Sequence, residues 1–296
     1  VAEALADGVA RFLDHLAVER RYSPHTLAGY RQDLDKLARW MQARGLARFD
    51  ALTPDLLRGF VAAEHRAGLS PKSLQRVLST CRSLFRFLAR SGALAHDPAA
   101  GVRAPKVRRK LPQVLDTDEA NALVELPAEG TLGPRDRAML ELFYSSALRL
   151  SELVGLRWGA LDLDEGLVRV TGKGGKTRIV PVGRHACAAL RALAAAGGAA
   201  PDAPVFVSRH GGALTPRTVQ ARLKTLALRQ GIAKRIHPHL LRHSCASHLL
   251  ESSGDLRAVQ ELLGHADIGT TEIYTHLDFQ HLARVYDAAH PRARRK

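Results

Sequence analysis

Apolar residues recur at helical spacing through nearly all of the first hundred positions. Val9, Phe12, Leu13, Leu16 and Ala17 make one stripe, since residues three and four apart share a helix face. Three later segments repeat one punctuation: Ser23-Pro24 to Gly45, Thr53-Pro54 to Gly68 and Ser70-Pro71 to Gly92. A hydroxyl residue can accept from the orphan N–H groups of a helix start, proline suits the first turn, and glycine takes the left-handed exit. Residues 1–97 therefore read as a helical domain. Its last helix sets Leu74, Val77, Leu78, Leu84 and Leu88 against Lys72, Arg76, Arg82, Arg86 and Arg90. Such a face is either simply solvated or placed for duplex phosphates; Lys72, Arg76 and Arg82 are the candidate contacts.

Past Asp97-Pro98 the pattern changes. Prolines keep residues 98–112 extended, and the run Lys106, Arg108, Arg109 and Lys110 disfavours burial. This stretch reads as a basic interdomain linker, with Arg108 and Arg109 as further candidate DNA contacts. Residues 113–296 form the second domain. Helices are expected from a Thr117 cap to about 126, from Pro134 to about Ser146, and from a Ser151 cap through Glu152 and Leu153. Others are expected over 184–196, 215–229, 239–250 and 255–263. Segments 167–171 and 177–182 carry strand patterns, joined by Gly172-Lys173-Gly174-Gly175-Lys176, whose glycines permit a tight hairpin. A short strand is expected over 205–207. The fold class is thus mainly α with a small β-hairpin or sheet in the second domain, α+β in kind.

The composition narrows the partners. A length of 296 residues suffices for two cores, and a formal charge of +15 points to a polyanion. No apolar run approaches the roughly 20 residues that span a bilayer, so no membrane partner is expected. The first residues, with Glu3 and Asp7, lack the basic-then-apolar pattern of a signal peptide. Cys81, Cys187 and Cys245 are odd in number and widely spaced, which fits buried thiols in a reducing cytoplasm rather than a disulfide framework.

The densest chemistry lies between His237 and His276. It comprises His-Pro-His-Leu-Leu-Arg-His at 237–243, Leu-Leu-Gly-His at 262–265 and Glu-Ile-Tyr-Thr-His at 272–276. On a helix, His239, Arg242 and His243 share one face, while Leu241, Cys245 and Leu249 form the apolar side. Gly264 is a natural helix stop, which puts His265 at an element end, and Thr270 and Thr271 can cap a turn carrying Tyr274. A zinc reading competes, because His239, His243, Cys245 and His248 are ligand types at helical spacing. It is the weaker one: the glutamate of His-Glu-x-x-His is missing and an arginine shares the face.

The ordered set, from Arg149 in Ala-Leu-Arg-Leu-Ser-Glu-Leu to Tyr274, resembles the tyrosine site-specific recombinases, or phage integrase family. The resemblance covers nearly the whole chain. It implies a helical N-terminal DNA-clamping domain and a catalytic domain that cuts and rejoins DNA through a 3′-phosphotyrosyl intermediate, without metal, cofactor or ATP. Tyr274 is then the nucleophile, Arg149 and Arg242 a phosphate clamp, Lys173 the general acid, His239 the proton acceptor and His265 a further donor. Lys176 is a backbone contact, and Glu152 orients or neutralises nearby cations. The C-terminal run from His248 resembles one member of the Xer pair within that family. The resemblance implies a related recombinase as partner in a heterotetramer on double-stranded DNA sites, a DNA translocase as regulator and a role in chromosome partition at cell division. Phe279, Leu282, Val285 and Tyr286 are expected either to dock on a neighbouring subunit or to pack on their own domain. Ala147, where glycine often precedes the arginine motif, and Cys245, where an aromatic is common, depart from the family pattern. A phage or plasmid integrase, a catalytically inactive architectural DNA-binding protein and a zinc nuclease remain the alternatives.

Overall fold

A computed structural model describes residues 4–106, 113–125, 127, 129–172, 175, 177–264 and 276–293, without the side chains of 276–280. The chain divides into two compact units, Val1–Leu111 and Pro112–Lys296.

The first unit holds α1 (Leu5–Val18), α2 (Pro24–Gln42), α3 (Pro54–Arg66) and α4 (Pro71–Arg90). The expected punctuation is realised. Ser23, Thr53 and Ser70 accept from the backbone N–H of Thr26, Leu56 and Ser73, and each helix has proline in its first turn. The apolar stripes meet in one core around Phe12, Leu37, Met41, Leu57, Phe60, Leu84 and Phe85. Asp33 is fully buried in it, where it accepts from Arg76 at 2.5 Å and Thr80 at 3.2 Å. Ala99 and Val102 join the same core, so chain beyond residue 97 is packed before Arg103; two apolar side chains at that spacing outweigh the prolines around them.

The second unit is built around two helices buried on nearly every side, α6 (Gly133–Ser146) and α10 (Pro238–Ser253). Against them lie α5 (Thr117–Val124), α7 (Leu150–Val154), α8 (Arg184–Gly197), α9 (Pro216–Arg229), α11 (Leu256–Leu263) and α12 (His276–Ala289). The cap of α5 is Asp116, not Thr117: its carboxylate accepts from Glu119 N–H while the Glu119 side chain accepts from Asp116 N–H, a reciprocal arrangement that Thr117 has no partner to match. The expected hairpin is β2 (Leu167–Thr171) and β3 (Thr177–Pro181), paired from Leu167–Pro181 to Thr171–Thr177. A two-residue strand β1 (Leu161–Asp162), too short to leave a period in the sequence, extends it to three antiparallel strands. The strand expected at 205–207 is not formed. The chain doubles back there, with Ser208 N–H donating to Gly212 at 2.7 Å and a single bridge from Val207 to Ala213, and Val205 and Phe206 serve as core residues instead.

The C-terminal segment packs on its own domain. Leu282 and Tyr286 are buried and Val285 is partly buried against the core, so a docking face on a neighbouring subunit is not what these three side chains form here; the Phe279 side chain lies outside the described residues. Beyond α12 the His290 ring stacks on Tyr286 at 4.7 Å. Arg292 donates to the buried Glu141 carboxylate and to Glu125 at 2.8 Å. Gly183 makes this seat possible, since a Cβ there would lie 2.9 Å from both the Arg292 carbonyl oxygen and the Tyr286 hydroxyl. Among the described residues no helix is long and apolar enough to cross a membrane.

Candidate active site

The site is assembled where α6 ends. Ala147 closes that helix in the left-handed region, φ 48°, which turns the chain sharply and sends Arg149 out in an extended conformation as the N-cap of α7. Ser151, expected as the cap, is instead the second helical residue. An arginine cannot accept a helix N–H, and the cap is completed from the other side: the Glu152 carboxylate reaches back to the Arg149 backbone N–H at 2.8 Å and its Nη1 at 2.9 Å. The expected orienting role of Glu152 thus has a geometry.

Arg242 comes from the second turn of α10. Its Nη1 donates to the Ala147 carbonyl and its Nη2 to the Leu263 carbonyl at the end of α11. Arg149 Nη2 donates to the same Leu263 carbonyl at 3.2 Å and to that of Gly264 at 3.3 Å. Two guanidinium groups far apart in sequence therefore meet on one acceptor.

A third guanidinium was not anticipated. Arg178 on β3 is buried and forks onto Glu152, Nη1 to Oε1 at 2.6 Å and Nη2 to Oε2 at 3.0 Å. The polarity of the strand is inverted: Arg178 points inward and its neighbour Ile179 is 45% exposed. Two cations thus pair with one carboxylate and Arg242, held on carbonyls, feels the same charge, leaving an excess of positive charge. Burial, then Arg149 and Arg178, push Arg242 down to about 10, so it stays protonated near neutrality. Burial pushes Glu152 upward, but the hydrogen bonds from Arg178 and the Arg149 backbone outweigh it and hold the carboxyl at about 2.

His239 is exposed in the first turn of α10, one turn before Arg242. Its neighbour His237 caps the helix, accepting from Leu240 N–H at Nδ1, 3.1 Å. The four side chains of the zinc reading separate. His243 is exposed like His239, whereas Cys245 and His248 point inward. His248 bonds the Tyr144 hydroxyl at 2.8 Å and the Leu115 carbonyl at 2.9 Å. Among the described residues no three His, Cys, Asp or Glu side chains are grouped to hold a metal ion.

Lys173, Lys176, His265, Tyr274, Arg108 and Arg109 lie outside the described residues. Their flanks are described: Gly175 at the hairpin tip has φ 76°, and Gly264 before His265 has φ 59°. Of the candidate contacts in the first unit, Lys72 is exposed, Arg76 neutralises Asp33 and Arg82 donates to the Val102 carbonyl at 2.6 Å.

Comparison with known proteins gives the arrangement its context. Residues 113–281 match the model of the phage integrase family, and residues 9–92 that of the phage integrase N-terminal SAM-like domain. The chain is 63% identical to tyrosine recombinase XerC of Xanthomonas campestris pv. campestris over 100% of its length and 92% of that protein. It is 61% identical to tyrosine recombinase XerC of Xylella fastidiosa over 96% of this chain and 97% of that one. In fold it resembles a lambda integrase tetramer bound to a Holliday junction, with a TM-score of 0.71 at 21% identity, covering 92% of this chain and 81% of the other. The chain belongs to the phage integrase family: it is a site-specific tyrosine recombinase, XerC-like, and an enzyme of DNA strand exchange.

Proposed function

We propose that Tyr274 attacks a DNA phosphodiester, forming a 3′-phosphotyrosyl bond and releasing a 5′-hydroxyl, with Arg149 and Arg242 as the clamp on that phosphate. The observation that carries this reading is the shared Leu263 carbonyl, on which the two guanidinium groups converge, Arg149 being held there by the Glu152 carboxylate. Guanidinium groups stay charged and donate paired hydrogen bonds to phosphate oxygens, so they stabilise the charge that builds up as the phenolate adds. A phenol ionises near pH 10 in water; His239, exposed beside Arg242, accepts its proton. His265 donates to a phosphate oxygen, and Lys173 at the hairpin tip protonates the departing 5′ oxygen. The phosphotyrosyl bond conserves the energy of the one it replaces, so a 5′-hydroxyl from another strand reverses the step without metal or ATP.

The chain acts in a heterotetramer with XerD, the second recombinase of the Xer pair, on two duplex sites. Strands exchange in two steps through a Holliday junction, in the cytoplasm and under control of a DNA translocase, resolving chromosome dimers before division. Lys72, Arg76, Arg82, Arg108, Arg109 and Lys176 contact the DNA backbone. Incubation of the full chain and its partner recombinase with nicked duplex in excess EDTA, followed by denaturation, should trap this chain covalently on DNA, and Tyr274→Phe should trap none of it. Tight binding without an adduct would instead support an architectural protein, and a metal-dependent cut without an adduct a nuclease.

A further inference from the structure

We infer that Arg178 is a positioning residue for strand exchange, acting through Glu152 on Arg149 and tying the lysine hairpin to the arginine pair. The inference rests on Arg149 being a ligand of the scissile phosphate. A carboxylate offers about four acceptor sites, and Glu152 has four donors: both Nη atoms of Arg178, and the backbone N–H and Nη1 of Arg149. Removing the Arg178 fork therefore frees the group that holds Arg149 in two places at once.

The position of Arg178 gives it reach. Its backbone pairs with Val170, one step inside the Thr171–Thr177 pair that closes the Lys173 hairpin. Its side chain also lies against Gly264, where a Cβ would sit 2.8 Å from Arg178 Cδ, immediately before His265. One buried side chain thus touches or abuts the segments that carry three separate groups of the proposed mechanism. Stability alone is a poor reason for the pair, because an apolar side chain of similar volume commonly replaces a buried ion pair at no net cost. Lysine would keep the charge and lose the planar fork.

The test uses the full chain with its partner recombinase and a nicked duplex, enriched from random sequence by covalent capture with the wild type. Adduct formation is timed between about pH 5 and 9, with DNA binding and thermal unfolding followed in parallel. Arg178→Met should slow the adduct by about ten- to a hundredfold with little change in binding. Its loss should deepen toward acid pH, because Glu152 would then lack the Arg178 fork that helps hold its carboxyl ionised against burial. Glu152→Gln should lack that acid limb, the double variant should be no slower than Glu152→Gln alone, and Arg178→Lys should recover part of the rate. If Arg178→Met does not fold, the double variant, which does not leave the Glu152 carboxylate buried without Arg178, carries the comparison with Glu152→Gln. Wild-type rates in Arg178→Met, or losses that multiply in the double variant, would overturn the inference and leave the clamp reading intact. A wild-type chain that captures no DNA covalently would overturn both.

Discussion

The two units of this chain solve the problem of a core in different ways. The helical unit buries leucine, valine and phenylalanine, and the one fully buried acid among its described residues, Asp33, answers to Arg76 and Thr80. The catalytic unit buries Arg135, Asp136, Glu141, Glu152, Arg178, Arg242, His248, His290 and Arg292. Its central helices α6 and α10 are covered on almost all sides, so neither needs a polar face. The surrounding core supplies the carbonyls and carboxylates that hold these guanidinium groups in place. The helical unit is held by apolar burial and caps; the catalytic unit depends in addition on charges that are only tolerable as a set.

That contrast can be broken by removing one member of a set. Arg292→Ala would leave Glu141 buried without its cation, a change worth about 3–5 kcal/mol, and should lower the unfolding midpoint of the catalytic unit by roughly ten degrees. An unchanged midpoint would mean the buried charges are not interdependent. Arg242→Ala should cut the rate of covalent adduct formation by about a hundred- to a thousandfold in single-turnover capture, while binding weakens far less.

A third test uses pH. Burial holds His290 down at about 3 from an ordinary 6.5. The unfolded chain takes up this proton as pH falls through about 6.5 and the folded chain does not. The stability so contributed is complete above that value and is lost on acidification, by about 1.4 kcal/mol per pH unit. Denaturant titrations at pH 7 and 5 should show the loss in the wild type and less of it in His290→Asn. The smallest effect belongs to the other unit: Thr53→Ala removes only the cap on Leu56 N–H and should cost about 1 kcal/mol, independent of pH over the same range.

The same contrast explains what could be read from the sequence. Capped amphipathic helices declare themselves locally, and Ser23, Thr53 and Ser70 all sit where their pattern puts them. In the catalytic unit the motif residues Arg149 and Arg242 could be singled out by residue type and order, and the structure brings them onto one carbonyl. Arg178 could not, because an arginine in an alternating strand looks like its solvent face. Asp116 and Arg149 displaced Thr117 and Ser151 as caps through the reach of glutamates three residues on, which a search for hydroxyl caps overlooks. The apolar face of α12 is visible in sequence, but amphipathicity does not say whether the surface that covers it belongs to the same domain or another. Lys173, His265 and Tyr274 stand on their sequence motifs.

Ala147 bears on how freely this family can drift. A non-glycine residue at φ 48° costs about 1–2 kcal/mol; glycine would remove that cost, lose roughly 0.5–1 kcal/mol to the entropy of the unfolded chain, and forfeit about 0.8 kcal/mol of buried methyl. These quantities nearly cancel. Alanine and glycine are therefore close to interchangeable at this corner, and exchange between them passes unnoticed by Arg242, which addresses only the carbonyl. A β-branched residue offers no such neutral path, so the corner permits two neighbouring genotypes and is closed to most others.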